Sequence, residues 1–139
     1  MTDAPDRSAA LDPVRLAQAL GLGPDEIGFG THRPGLWQGG PRFLYAPVAN
    51  LDALARARPI EPAWSEDPAT GSASAILAAQ LLVSGALAAG ETRLTLHQGV
   101  EMGRASVIGL TAVVAASNLA EVRIAGSAVP VSEGRIRVP

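Results

Sequence analysis

The chain has 139 residues, 47% of them hydrophobic and 4% aromatic, and a net charge of −2. That length allows one domain with an aliphatic core, and the charge gives no electrostatic basis for binding nucleic acid or an anionic membrane. Cysteine and lysine are both absent, which excludes disulfides, thiolate metal sites, cysteine nucleophiles and a Schiff-base anchor for pyridoxal phosphate.

Residues 1–10 have no apolar run and read as a frayed tail, not a secretory signal, so the simplest compartment is the cytoplasm. Asp12-Pro13 starts a short helix with aspartate as N-cap and proline at the first helical position; Val14, Leu16, Ala17 and Leu20 follow at helical spacing, and Gly21 and Gly23 end it. Residues 24–42 are rich in glycine and proline and read as loop. Phe43 to Val48 predicts a strand, placed at an edge by Pro47. A second short helix opens at Asn50 or Leu51-Asp52 and runs to Arg58 before Pro59.

Ser72 to Ala89 is apolar on every side except for Gln80 and scattered serines, so it predicts a helix enclosed by other structure. Its many small residues make it too weakly hydrophobic for a membrane span and allow a sheet to approach closely. Strands are predicted after it at Thr92–Gln98, Ala105–Ala115 and Ala120–Ala125, with Leu94, Leu96, Val122 and Ile124 facing inward. A further hairpin is expected from Ser127–Val131 and Arg135–Val138 around Ser132-Glu133-Gly134. The fold class is therefore α+β: a mixed or antiparallel sheet wrapped around one central buried helix, without βαβ alternation.

The only histidines are His32 and His97, with no partner at ligand spacing, and no acidic loop is clustered. No metal site is expected, and both histidines read as ordinary structural residues. The chemistry concentrates in the string Glu66-Asp67-Pro68-Ala69-Thr70-Gly71-Ser72-Ala73 ahead of the long helix. A polar loop with a glycine, feeding a helix N-terminus, presents unpaired N–H groups and partial positive charge. A carboxylate or phosphate fits there, Gly71 lets it approach the backbone, Ser72 caps the helix or offers a hydroxyl, and Asp67 accepts from a ligand's hydroxyl or ammonium group. A plain capped helix accounts for the same residues without any ligand. Neither a Walker loop nor a dinucleotide fingerprint is present.

The Glu66–Ala73 string resembles the signature of the phenazine-biosynthesis (PhzF-like) isomerase family, which shares the diaminopimelate epimerase fold. His97-Gln98-Gly99-Val100-Glu101-Met102-Gly103-Arg104-Ala105-Ser106 is similar to a second family segment, with Ala105 where proline is usual. Ile124 to Val131, followed by Glu133-Gly134, is similar to a third. The resemblance covers residues 66–138 and implies that residues 11–139 form the C-terminal one of two similar lobes, with the active site between them. It places Asp67, Thr70, Gly71 and Ser72 on substrate-binding positions, with Asp67 in a supporting catalytic role. It implies cofactor-independent acid/base proton transfer on a small carboxylate. Gln98, Gly99, Gly103 and Arg104 read first as a strand-connecting turn. The family's catalytic glutamate belongs to the other lobe, and the stretch before Glu66 is shortened to Pro59–Ser65, without the usual Arg-x-Phe-x-Pro. The chain by itself is accordingly expected to be inactive and to self-associate or to pair with an N-lobe partner. The alternative is a non-catalytic relic that serves as a binding or structural module.

Overall fold

A computed structural model describes residues 11–59, 69–130, 132–135 and 137. The tail at residues 1–10 and the site candidates Glu66 and Asp67 lie outside the described residues.

Helix α1 spans Pro13–Leu20, with the Asp12 carboxylate accepting from the Val14 N–H at 3.0 Å. A single 3-10 turn at Pro24–Glu26 follows. Strand β1 (Gly35–Gln38) pairs antiparallel with β2 (Arg42–Tyr45), so the segment expected to be loop contains a strand. Its partner across the Gly39-Gly40-Pro41 turn supplies ladder bonds that local composition does not reveal. β2 stops before Pro47, whose carbonyl instead accepts from the Gly28 N–H at 2.7 Å. Helix α2 spans Leu51–Arg56, and the Asn50 side chain caps it through the Ala53 N–H at 2.8 Å. Leu16, Leu20 and Leu22 form a small core with Ile27, Leu44, Ala46, Val48 and Ala57 around them.

The long helix, α3, spans Gly71–Val83 and is shorter than the Ser72–Ala89 expectation. Gly85 takes φ of +79°, and the Ala86 N–H returns to the Leu81 carbonyl at 2.9 Å. A left-handed glycine with that back-bond ends a helix irrespective of the apolar residues beyond it. Strands β3 (Gly90–Gln98), β4 (Ser106–Ala115) and β5 (Asn118–Gly126) form an antiparallel meander in the order β3-β4-β5. β4 and β5 join through Ala116 and Ser117, with φ of +47° and +63°. That is a two-residue turn of the primed kind, made without the glycine or asparagine that normally announces it. Ala120 is left over as a bulge where the register shifts between Val113 and Val114.

The main core lies between α3 and the inner face of this sheet: Ala78, Leu87, Leu110, Ala112 and Val114, bordered by Leu81, Leu82, Leu94, Leu96, Leu119 and Val122. Leu94, Leu110 and Ile124 stand opposite one another across the three strands. Ile124 points to the helix side, as expected, but remains 37% exposed. The α+β class and the sheet-on-helix arrangement agree with the sequence reading. The sheet covers one side of α3, and the β1-β2 hairpin and the His32 loop touch it elsewhere; Ser74, Ala78 and Gln80 are its buried residues, while Val83 is 49% exposed.

The outer face carries charge. Arg93 and Arg123 reach Glu91 at 2.7 and 2.6 Å, and Arg123 also reaches Glu121 at 2.9 Å. These guanidinium contacts hold the Glu91 carboxyl below its ordinary range, and as exposed pairs they add little stability. Of the hairpin expected near the C-terminus, the described residues Ser127–Pro130, Ser132–Arg135 and Arg137 carry no strand, and Val131, Ile136 and Val138 lie outside the described residues. A lone hairpin is marginal without a third strand, and Pro130 removes a ladder donor.

Candidate functional site

The start of α3 is where the sequence candidates meet the fold. Thr70 is the N-cap, with φ −118° and ψ 100°, so the helix begins at Gly71, one residue before the expected start. Ser72 is therefore the second helical residue and does not cap. The Thr70 side chain makes no capping bond either. The first intrahelical bond runs from the Ser74 N–H to the Thr70 carbonyl at 3.0 Å, and the Ser74 hydroxyl donates to the same carbonyl at 2.9 Å. The N–H groups of Gly71, Ser72 and Ala73 precede that bond and have no acceptor within the helix. Gly71 and Ser72 are exposed residues and stand at the positive end of a 13-residue helix.

Gly71 is not demanded by its own packing. A Cβ there would meet nothing nearer than Ile124 Cγ2 at 3.9 Å, an ordinary contact.

Two side chains from distant parts of the chain hold this first turn. The Gln98 amide oxygen, at the end of β3, accepts from the Thr70 N–H at 3.0 Å. The Tyr45 hydroxyl, at the end of β2, donates to the Ala73 carbonyl. Burial pushes the Tyr45 phenol up to about 12, so it is a proton donor at any physiological pH. After Gln98 the chain turns through Gly99–Arg104, closed by bonds from Gly103 N–H to Val100 and from Arg104 N–H to Gly99. The connecting-turn reading of Gly99, Gly103 and Arg104 agrees with this geometry, whereas the Gln98 side chain reaches back to the helix start. Neither contact was legible in sequence. Gln98 was visible only as part of a family segment, and nothing marked Tyr45.

The histidines sit elsewhere. His32 Nδ1 meets the buried Gln80 amide at 3.2 Å and its ring stacks on Phe29 at 4.6 Å, which supplies a partner to the polar residue inside α3. His97 is exposed on the outer face of the sheet. Arg33 donates to the Gly30 and His32 carbonyls, both at 2.8 Å, so its guanidinium braces a loop. Among the described residues no three histidine, aspartate or glutamate side chains gather to hold a metal ion, and no helix is long and apolar enough to cross a membrane.

Comparison with known proteins places these features. An uncharacterized isomerase of Mesorhizobium japonicum is 35% identical over 165 aligned positions, which cover 90% of this chain and 55% of that protein. The alignment is longer than the chain itself, so the relative carries insertions that this chain lacks. The solved structure of a predicted epimerase from Pseudomonas aeruginosa superposes with a TM-score of 0.68 at 26% identity, covering 88% of this chain and 51% of that one. The chain thus spans about half the length of the relatives it matches. The family described as phenazine biosynthesis-like protein (PhzC-PhzF) matches residues 42–134, which takes in β2, α2, the whole of α3 and the β3-β4-β5 sheet, and the chain belongs to that family.

Proposed function

We propose that this chain is one lobe of a cofactor-independent PhzF-like isomerase or epimerase that moves a proton on a small carboxylate. The observation that carries the reading is the open first turn of α3. The N–H groups of the exposed Gly71 and Ser72 receive the substrate's acidic group, and Thr70 borders them. Asp67, by its place in the motif, accepts from the substrate's hydroxyl or ammonium group. A proton shift at carbon also needs a base facing the substrate from across a cleft. In this reading the family's glutamate, on a second lobe, is that base. Apolar side chains are available to such a partner: Ile124, next to Gly71, is 37% exposed, and Val100 and Met102, in the turn that follows Gln98, are 50% and 40% exposed.

The test of the binding step is Gly71→Pro. Proline is favoured at a first helical position, and Thr70 already has the extended backbone that precedes proline. The substitution removes one N–H and leaves the helix in place. Titration with sulfate or a small dicarboxylate is expected to shift the Gly71 and Ser72 amides of the native chain. Gly71→Pro should bind roughly tenfold or more weakly, as befits one lost charge-assisted hydrogen bond. Equal affinity in the variant, or shifts confined to the Arg33 and Arg42 region, overturns the site.

The partner requirement has its own measurement. The purified chain is expected to sediment as a dimer or to co-purify with an N-lobe protein, and as a monomer to be inactive. A well-behaved monomer that exchanges the α-proton of a small carboxylic acid with solvent puts the base inside this chain and refutes the two-lobe mechanism.

A further inference from the structure

We infer that Gln98 and Tyr45 are positioning residues that hold the first turn of α3 in its anion-receiving geometry; this rests on the reading of that turn as the carboxylate site. The first N–H groups of a helix are unbonded, so the first turn frays unless something outside the helix restrains it. A side-chain cap at Thr70 would do this locally, and Thr70 makes none.

The restraint comes from two other elements. Gln98, the last residue of β3, takes the Thr70 N–H at 3.0 Å and so fixes the N-cap backbone to the rim of the three-stranded sheet. Tyr45, the last residue of β2, donates its hydroxyl to the Ala73 carbonyl and so fixes the far side of the same turn to the hairpin. The hairpin is itself pressed on the helix: a Cβ at Gly39 would lie 3.0 Å from Ile76 Cγ1. Between these two anchors lie only Gly71 and Ser72, whose N–H groups are the proposed ligand contacts. Neither anchor uses those N–H groups. The clamp therefore orients the donors without occupying them, as preorganised binding requires.

The experiment uses the full chain with sulfate as the probe. Gln98→Met keeps the side chain's length and loses the acceptor. It is expected to speed hydrogen exchange at the Thr70 amide and to weaken sulfate binding at Gly71 and Ser72 by about tenfold, while exchange at Leu110 in the sheet stays as in the native chain. Gln98→Glu restores an acceptor oxygen and should recover Thr70 protection; a purely packing role would not show that recovery. If Gln98→Met folds poorly, Tyr45→Phe decides by the same affinity readout, since it keeps the ring and removes only the hydroxyl. Unchanged Thr70 exchange in Gln98→Met, or unchanged sulfate affinity in either folded variant, overturns the clamp alone. A native chain whose Gly71 and Ser72 amides ignore sulfate overturns the carboxylate site itself, and the clamp's purpose with it.

Discussion

Ala78→Asp is expected to abolish folding. Ala78 is fully buried where α3 meets the sheet, in the same cluster as Leu87, Leu110, Ala112 and Val114. Every neighbour named in that cluster is aliphatic, so a carboxylate there finds no donor. An unpaired buried carboxylate costs several kcal/mol even after it takes up a proton, and the added atoms have no space in a closely packed contact. A single domain has only about 5–15 kcal/mol in hand. Circular dichroism and a thermal melt check this: the variant should show no cooperative transition. A soluble Ala78→Asp chain that melts sharply near the native temperature would mean that the contact between α3 and the sheet does not organise the fold.

Leu110→Ala should destabilise by about 2–5 kcal/mol, the range for removing a large aliphatic side chain from a packed core. Leu110 is 1% exposed, lies in the middle strand and stands between Leu94 and Ile124 beneath α3. Its position on a central strand leaves little room for collapse around the cavity. The measurement is a urea titration, in which the midpoint falls while the slope is retained. Leu81, on α3, is only half-buried at the border of the cluster, so its truncation should cost less than that of Leu110. Equal losses at the two positions would refute the ranking by burial.

Legibility followed the range of the interactions concerned. α1 was readable to the residue because its signals are local: Asp12 as cap, Pro13 in the first turn and Gly21 in the left-handed conformation. Alternation in Thr92–Gln98 and the β-branched run from Ala105 identified β3 and β4, since a strand with one buried face writes its period into the sequence. The Glu66–Ala73 motif pointed to the family, and with it to Thr70, Gly71 and Ser72 as candidates. What depended on partners was hidden. β1 exists because β2 pairs with it, and its glycine-rich surroundings said loop. The end of α3 is decided by one left-handed glycine, which an all-apolar stretch conceals.

Local signals were thus enough to specify the α+β class, the long apolar helix, the central three strands and the glycine-containing loop that feeds the helix. Each is a matter of residue type and spacing within a few turns or one strand. Packing between elements is what brings Gln98 and Tyr45 onto the first turn of α3, sets His32 against the buried Gln80, and leaves a bulge at Ala120 in the final register. These contacts join residues 28 and 48 positions apart or depend on a neighbouring strand. No local pattern encodes such a meeting, because a side chain's partner across the fold is chosen by how helix and sheet pack and not by its neighbours in sequence.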